Sequence, residues 1–474
     1  MKEEYNNLFN ENHFDELIGR YEEMIRSGRT YYFDVEDFEY ILDYYVDTDQ
    51  YGKALRAVKY GLKIHPQAIS LMIKKAHVLL KNEFPRKALT TLNNIGSVDL
   101  LNNEIFMARG HANVMLGNSS QAKIEYNKAL KLVSNKEEAV ELMQNIAQTF
   151  EIIYDYKQAL PYLLKAYKLD NENVFVLQDL AHCYEKLGKH EFALKYYHYY
   201  IDMDPFSEEI WNSIGRTYKE LGNIEKAINA FEYANAIRPD SYDSIFELAI
   251  LYQDRREYNK AIKYYNEYLE ATEEESAEII LSIGYCYNAL NEHKKALEYY
   301  HKALEHNHHN PEIYHEISNI YFEQSNYWDA LFYAKRATII DEETDYYFIS
   351  YGQIASLLKL KSEAIIAFEK AVELNPKVYN NWILLIDELI RHGYIYRTIA
   401  TLEEAIANDF RNSEIYFRIA AFLYKDREYI KSLKYFKRGM KDNPDNRTIF
   451  FEICPEAKKS KAIKQSIKGW IENF

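Results

Sequence analysis

Ile210–Asp240 reads IWNSIGRTYKELGNIEKAINAFEYANAIRPD, and the order of large, small and proline residues in it decides the fold. Counted from Glu208 as position 1 of a 34-residue unit, Trp211 falls at 4, Ile214 at 7, Gly215 at 8 and Tyr218 at 11. Ala227 then falls at 20, Phe231 at 24, Ala234 at 27 and Pro239 at 32. Gly215, Ala227 and Ala234 are small where one helix has to approach another, while Trp211, Ile214, Tyr218 and Phe231 fill the space between them. Pro239 stands just past the second helix, which it cannot continue.

The same phase runs through the chain. Units are expected at 35–68, 69–102, 103–136, 140–173, 174–207, 208–241, 242–275, 277–310, 311–344, 345–378, 379–412 and 413–446. Tyrosine takes position 11 at residues 45, 184, 218, 252, 287 and 321, and position 24 at 126, 197, 265 and 300, so its use as the packing aromatic covers much of the count of 45. Arg109 and Asn113 break the pattern at positions 7 and 11 of the third unit, and a buried charge is costly without a partner. Three extra residues at 136–138 or their neighbours follow, which makes this junction the expected bend or weak point. Thr398 and Ser432 replace alanine at position 20 of the last two units. Residues 1–34, with Phe14, Leu17, Ile18, Tyr21 and Ile25 at helical spacing after Tyr5, Leu8 and Phe9, are expected to cap the array. At the other end, 447–474 is expected to be one amphipathic capping helix. Its apolar side is Ile463, Ile467, Trp470, Ile471 and Phe474, and its basic side is Lys458, Lys459, Lys461, Lys464 and Lys468.

Of 474 residues, 47% are hydrophobic and only 9 are Pro and 15 Gly, which suits an all-helical chain with few breaks. The net charge of −15 disfavours nucleic acid or an anionic membrane as partner. No apolar run is long enough to span a bilayer, and the N-terminus has no basic segment followed by an apolar one. Cys183, Cys286 and Cys454 are few and odd in number, and the first two stand three units apart. A reducing, cytoplasmic location is therefore the expectation.

Together these spacings closely resemble the tetratricopeptide repeat, a helix–turn–helix unit. The resemblance implies an all-α, right-handed α-solenoid superhelix of twelve repeats over 35–446, with caps at 1–34 and 447–474. It also implies that positions 2, 5, 9, 12 and 13 of each first helix face a concave groove. Acids outnumber bases there more than two to one. Glu36, Glu39, Asp43 and Asp47 form a row on one face, where like charges repel. Further candidates for partner binding are Phe175, Asn212, Arg216, Phe246, Tyr285 and Asn319. Ile73, Met107, Leu281, Phe322, Tyr346, Ile349 and Ile383 are apolar groove candidates that packing between repeats could instead bury. The Lys/Asn/Asn/Lys/Arg clamp by which some members of this family grip chaperone termini is missing. Asn212 and Arg216 suit it, but their neighbours are Gln178, His182, Phe246 and Ile250.

No phosphate loop, nucleophile elbow or CxxC is present. His77, His111 and His182 at position 9 are too far apart, at roughly 10 Å per helix layer, to share a metal. The loop at His306, His308 and His309 reads as a polar turn. No cofactor, metal or catalytic site is called for, so the chain is read as a non-enzymatic scaffold. Its expected partner is a protein or peptide with a basic or amphipathic segment, bound in the groove without nucleic acid or membrane insertion. Self-assembly is left open. The alternative is a peptide-responsive regulator of the same repeat class.

Overall fold

The computed structural model describes residues 16–95, 102–272 and 275–471, and the regular structure among them is entirely helical. Contacts divide the chain into two compact units, Met1–Ser244 and Ile245–Phe474. The first holds α1 (16–27) and then pairs: α2 (Val35–Asp47) with α3 (Tyr51–Ile64), α4 (Ile69–Lys81) with α5 (Pro85–Asn93), and α6 (Asn103–Met115) with α7 (Ser119–Leu132). It continues with α8 (Lys136–Ile152) and α9 (Tyr156–Leu169), α10 (Val174–Lys186) and α11 (His190–Met203), and α12 (Glu208–Glu220) and α13 (Ile224–Ile237). Helix α14 (Tyr242–Asp254) crosses the division. The second unit continues with α15 (Tyr258–Thr272), then pairs α16 (Ala277–Ala289) with α17 (His293–His306), and α18 (Pro311–Glu323) with α19 (Tyr327–Ile340). Next come α20 (Asp345–Leu357) with α21 (Lys361–Leu374), α22 (Tyr379–Arg391) with α23 (Ile395–Ala407), and α24 (Ser413–Lys425) with α25 (Tyr429–Asp442). Helices α26 (Arg447–Ile453) and α27 (Lys461–Ile471) follow.

Four pairs close over the same contact, a glycine at position 8 under a ring at position 24. A Cβ on Gly215 would stand 2.7 Å from the Phe231 ring, and one on Gly352 would stand 2.7 Å from Phe368. Gly110 and Gly284 face Tyr126 and Tyr300 in the same way. These rings are buried to a few per cent or less, so position 8 has to be small for position 24 to be large. Position 20 is closed by fully buried alanines, and its exceptions are satisfied internally. Ser432 Oγ donates to the Ala420 carbonyl at 2.7 Å, and Thr398 Oγ1 to that of Tyr394 at 2.9 Å.

The turn inside each pair is equally fixed. Position 15 of all twelve units lies at positive φ, whether it is Gly222 (φ 71), Tyr154 (φ 59) or Lys359 (φ 61). The next N–H donates to the carbonyl five residues back, Asn223 to Tyr218 and Glu292 to Tyr287 at 2.9 Å each, which closes the helix C-terminus. Asparagine caps several first helices; the Asn173 side chain accepts from the Phe175 N–H at 3.1 Å, and that of Asn310 from the Glu312 N–H at 2.9 Å. Successive repeats are pinned by tryptophan: Trp211 Nε1 donates to the Pro205 carbonyl and Trp382 Nε1 to that of Pro376, both at 2.9 Å.

The irregular junction in the first unit differs from expectation. Residues 136–138 are the added first turn of α8, capped by Asn135, rather than a bend in the chain. Arg109 Nη2 donates to the Leu92 carbonyl at 2.8 Å, closing the short helix α5, and Asn113 Nδ2 donates to the Arg109 carbonyl at 2.8 Å. Phe106, Tyr126, Val140 and Phe150 belong to one core cluster that runs across the junction. The C-terminal tail also differs, for it holds two helices joined by a 3₁₀ turn at Pro455–Lys459, which carries Lys458 and Lys459. Ile463 is buried against the last repeat; the side chains of Trp470 and Ile471, and all of Phe474, lie outside the described residues. So do Tyr5, Leu8, Phe9 and Phe14, while Leu17 and Tyr21 of α1 are buried against the first repeat.

Gly215→Ala is expected to destabilise by about 1–3 kcal/mol, because the Phe231 ring has to leave its place. Lys359→Gly is expected to stabilise by up to about 1 kcal/mol, since it relieves a left-handed residue without touching the core. Urea unfolding followed by circular dichroism measures both.

Candidate partner-binding surface

In the first unit, α2, α4, α6, α8 and α10 touch in succession, so the first helices form a row. Their polar contacts recur at a sequence separation of 31, which is one repeat less about one helical turn. Asp43 accepts from Lys74 Nζ at 2.6 Å and Glu209 from Gln178 Nε2 at 2.9 Å. In the second unit, His315 Nε2 meets Tyr346 Oη at 3.0 Å, and Arg418 pairs with Asp387. These contacts link position 9 of one repeat to position 6 of the next, or position 5 to position 2. Position 6 was missing from the groove positions carried over by resemblance, so Lys74 and Asp179 were overlooked. For Lys74 the opposite charge of Asp43, 31 residues away, is the readable signal, whereas Asp179 is bonded to the uncharged Gln144, 35 residues away.

The expected residues fare differently. Glu36 and Asp47 are exposed and Glu39 is half-buried, but Asp43 is ion-paired to Lys74, so the acidic row is partly neutralised from the next repeat. Phe175 is 68% exposed on α10. Arg216 is exposed and donates to Ser213 Oγ at 3.2 Å. Asn212 is corrected: it is 3% exposed and its amide is turned to Glu208, so it offers no surface. Phe246 is half-buried with its ring 5.2 Å from that of Tyr268. Tyr285 is half-buried and donates to Glu312, and Asn319 Nδ2 donates to Glu316 at 3.4 Å. Among the apolar candidates, packing buries Ile73, Met107 and Leu281, whereas Phe322 and Tyr346 stay exposed.

Burial sets the electrostatics of this row. Desolvation, reinforced by Glu312, pushes the Glu316 carboxyl up to about 7. Desolvation, reinforced by Asp179, does the same to Glu151. Asp179 is itself raised by burial, although the Gln144 amide donates to it at 3.1 Å. His111 and His315 are driven by burial down to about 4, so both are neutral at pH 7. His306 Nε2 lies 2.9 Å from Glu275, which makes its loop a polar turn. Among the described residues, no three His, Cys, Asp or Glu side chains are grouped to hold a metal, and no helix is long and apolar enough to cross a membrane.

A carboxyl raised on folding binds a proton more tightly in the native state, so its contribution is fully present below its unfolded value and lost as pH rises through about 7. Glu316→Gln is therefore expected to gain on the native chain by on the order of 1–2 kcal/mol between pH 4.5 and 7.5, with the partly open surface discounted. Urea unfolding of both proteins across that range is the check; parallel curves would contradict it.

Three stretches match family models described as tetratricopeptide repeat, at 277–310, 208–241 and 346–378. Similar solved structures include the MamA protein, 24% identical, covering 36% of this chain and 92% of that chain, with a TM-score of 0.34. Another is a tetratricopeptide repeat protein from Parabacteroides merdae, 19% identical over 53% of this chain and 99% of that one, TM-score 0.38. A chain of the APC/C hetero-tetramer Cut9–Hcn1 is 14% identical over 92% of this chain and 95% of that chain, TM-score 0.34. No curated protein matches the sequence. With three matched repeats set in helical pairs that share their spacing, the chain is a tetratricopeptide-repeat protein, in general class a protein-interaction scaffold.

Proposed function

We propose that the chain is a scaffold whose first helices seat a polypeptide segment carrying basic residues, in an array of twelve repeats capped at 1–34 and 447–474. The observation that carries this reading is the mixture left open on the first helices: Phe175, Phe322 and Tyr346 expose their rings, and Glu36 and Asp47 expose carboxylates. Such a surface combines apolar anchors with charge that speeds the encounter with a cationic segment. Within each unit, the polar pairs 31 residues apart hold neighbouring first helices in register.

A photo-crosslinking amino acid placed at Phe175 tests this against one placed at Tyr396, which is 77% exposed on a second helix. In cells, the Phe175 position is expected to trap a discrete polypeptide adduct and the Tyr396 position none. Adducts only from Tyr396 would put the partner on the other face.

A further inference from the structure

We propose that the cavity of about 290 Å3 between α1, α2 and α3 in the first unit binds a small monocarboxylate. Arg26 and Arg56 hold its charge, and Ile25 with the rings of Tyr21 and Tyr45 holds its apolar body. The inference goes beyond the scaffold reading and does not rest on it.

Helical spacing assembles the wall. Tyr21 and Ile25 stand one turn apart on α1, as do Glu22 and Arg26, and Lys53 and Arg56 stand one turn apart on α3. Tyr45 of α2 completes it. Three cations against one carboxylate line this cavity, in a chain whose net charge is −15. That carboxylate is already engaged, for Glu22 accepts from Lys53 Nζ at 3.0 Å and from the Tyr45 hydroxyl at 3.3 Å. Among the described residues no acid is ion-paired to Arg26 or Arg56, whereas Arg29, which does not line the cavity, has Glu23 at 3.4 Å. One open guanidinium therefore stands on α1 and another on α3.

A second observation lies in the same wall. Tyr21 is 3% exposed, yet its hydroxyl has no hydrogen-bond partner. Its ring is held edge-on by those of Phe33, Phe38 and Tyr45, with centroids 6.0, 6.4 and 6.3 Å away, so the hydroxyl is not free to swing out and find one. A buried hydroxyl left unpaired is costly, and a ligand oxygen in the cavity satisfies it. A planar carboxylate accepts from guanidinium forks and from a phenol at once. Ile25, 53% exposed, and the tyrosine rings offer the apolar contact that a bare inorganic anion cannot use. Glu22 keeps a negative charge in the wall, which disfavours a dianion such as phosphate, and the two arginines turn a cation away. The volume lies at the small end of ligand cavities.

The test uses the full chain and phenylacetate, followed by isothermal titration calorimetry, with phenylacetamide as the uncharged analogue and acetate as the carboxylate without a body. Phenylacetate is expected to bind at least ten-fold more tightly than either. Arg26→Gln/Arg56→Gln is expected to weaken it at least ten-fold. Arg29→Gln/Arg86→Gln removes the same charge elsewhere and is expected to change it less than two-fold. Tyr21→Phe keeps the ring and removes only the unpaired hydroxyl, so it is expected to weaken binding several-fold without lowering stability to urea. That variant keeps the test decisive if the double arginine variant misfolds. A diazirine-bearing phenylacetate, photolysed on the native chain and mapped by mass spectrometry, is expected to label α1 between Tyr21 and Arg26 or the facing turns of α2 and α3. No saturable binding of phenylacetate, equal binding of the amide, equal loss in the two double variants, unchanged affinity in Tyr21→Phe, or labelling mainly elsewhere overturns the site. Acetate bound as tightly as phenylacetate overturns the apolar body, and tighter binding of phenyl phosphate overturns the monocarboxylate. The Phe175 crosslink is read separately, so the cavity and the scaffold reading can each fail alone.

Discussion

In the pairs that carry Gly110, Gly215, Gly284 and Gly352, a ring at position 24 laid on a residue with almost no side chain at position 8 sets how closely the two helices approach. Where that residue is glycine, as at Gly215 and Gly352, even a methyl group would stand 2.7 Å from the ring. Truncating such a buried ring costs about 3–5 kcal/mol, a large fraction of the stability of an ordinary domain, so the contact dominates other local terms. The left-handed residue at position 15 then fixes the turn, and it does so even where tyrosine, lysine or arginine has to adopt it.

With the pair fixed, the remaining freedom lies between repeats. Tryptophan at position 4 holds the carbonyl of the preceding position 32, and first helices hold one another through polar side chains 31 residues apart. Stacking is therefore mostly nearest-neighbour, and some side chains of the first helices stay open to solvent. Those leftover groups are what a partner can meet. They are mixed in kind: rings such as Phe175 and acids such as Glu36 and Asp47.

The repeat phase was legible because packing inside a pair is local and uses residue size, which the sequence displays directly. Contacts between repeats were much less so. Asp43 reads as one of four repelling acids until Lys74 is brought beside it, and Asn212 reads as a groove residue until Glu208 turns it inward. Arg109 breaks the pattern at a packing position, yet it closes the end of α5. The residues at 136–138 read as an insertion that bends the chain, whereas a helix absorbs three or four residues as one more turn. The tail reads as one helix because its apolar period is continuous near its end, while Pro455 divides it.

The central claim is that the first helices, held in register with one another, are the ones that meet the partner. Hydrogen–deuterium exchange on the full chain, alone and with the crosslinked polypeptide bound, tests it most directly. Slowed exchange confined to first helices, with α16 and α18 among them and α17 and α19 unchanged, is the predicted result. Protection centred on α17, α19 or other second helices would contradict it.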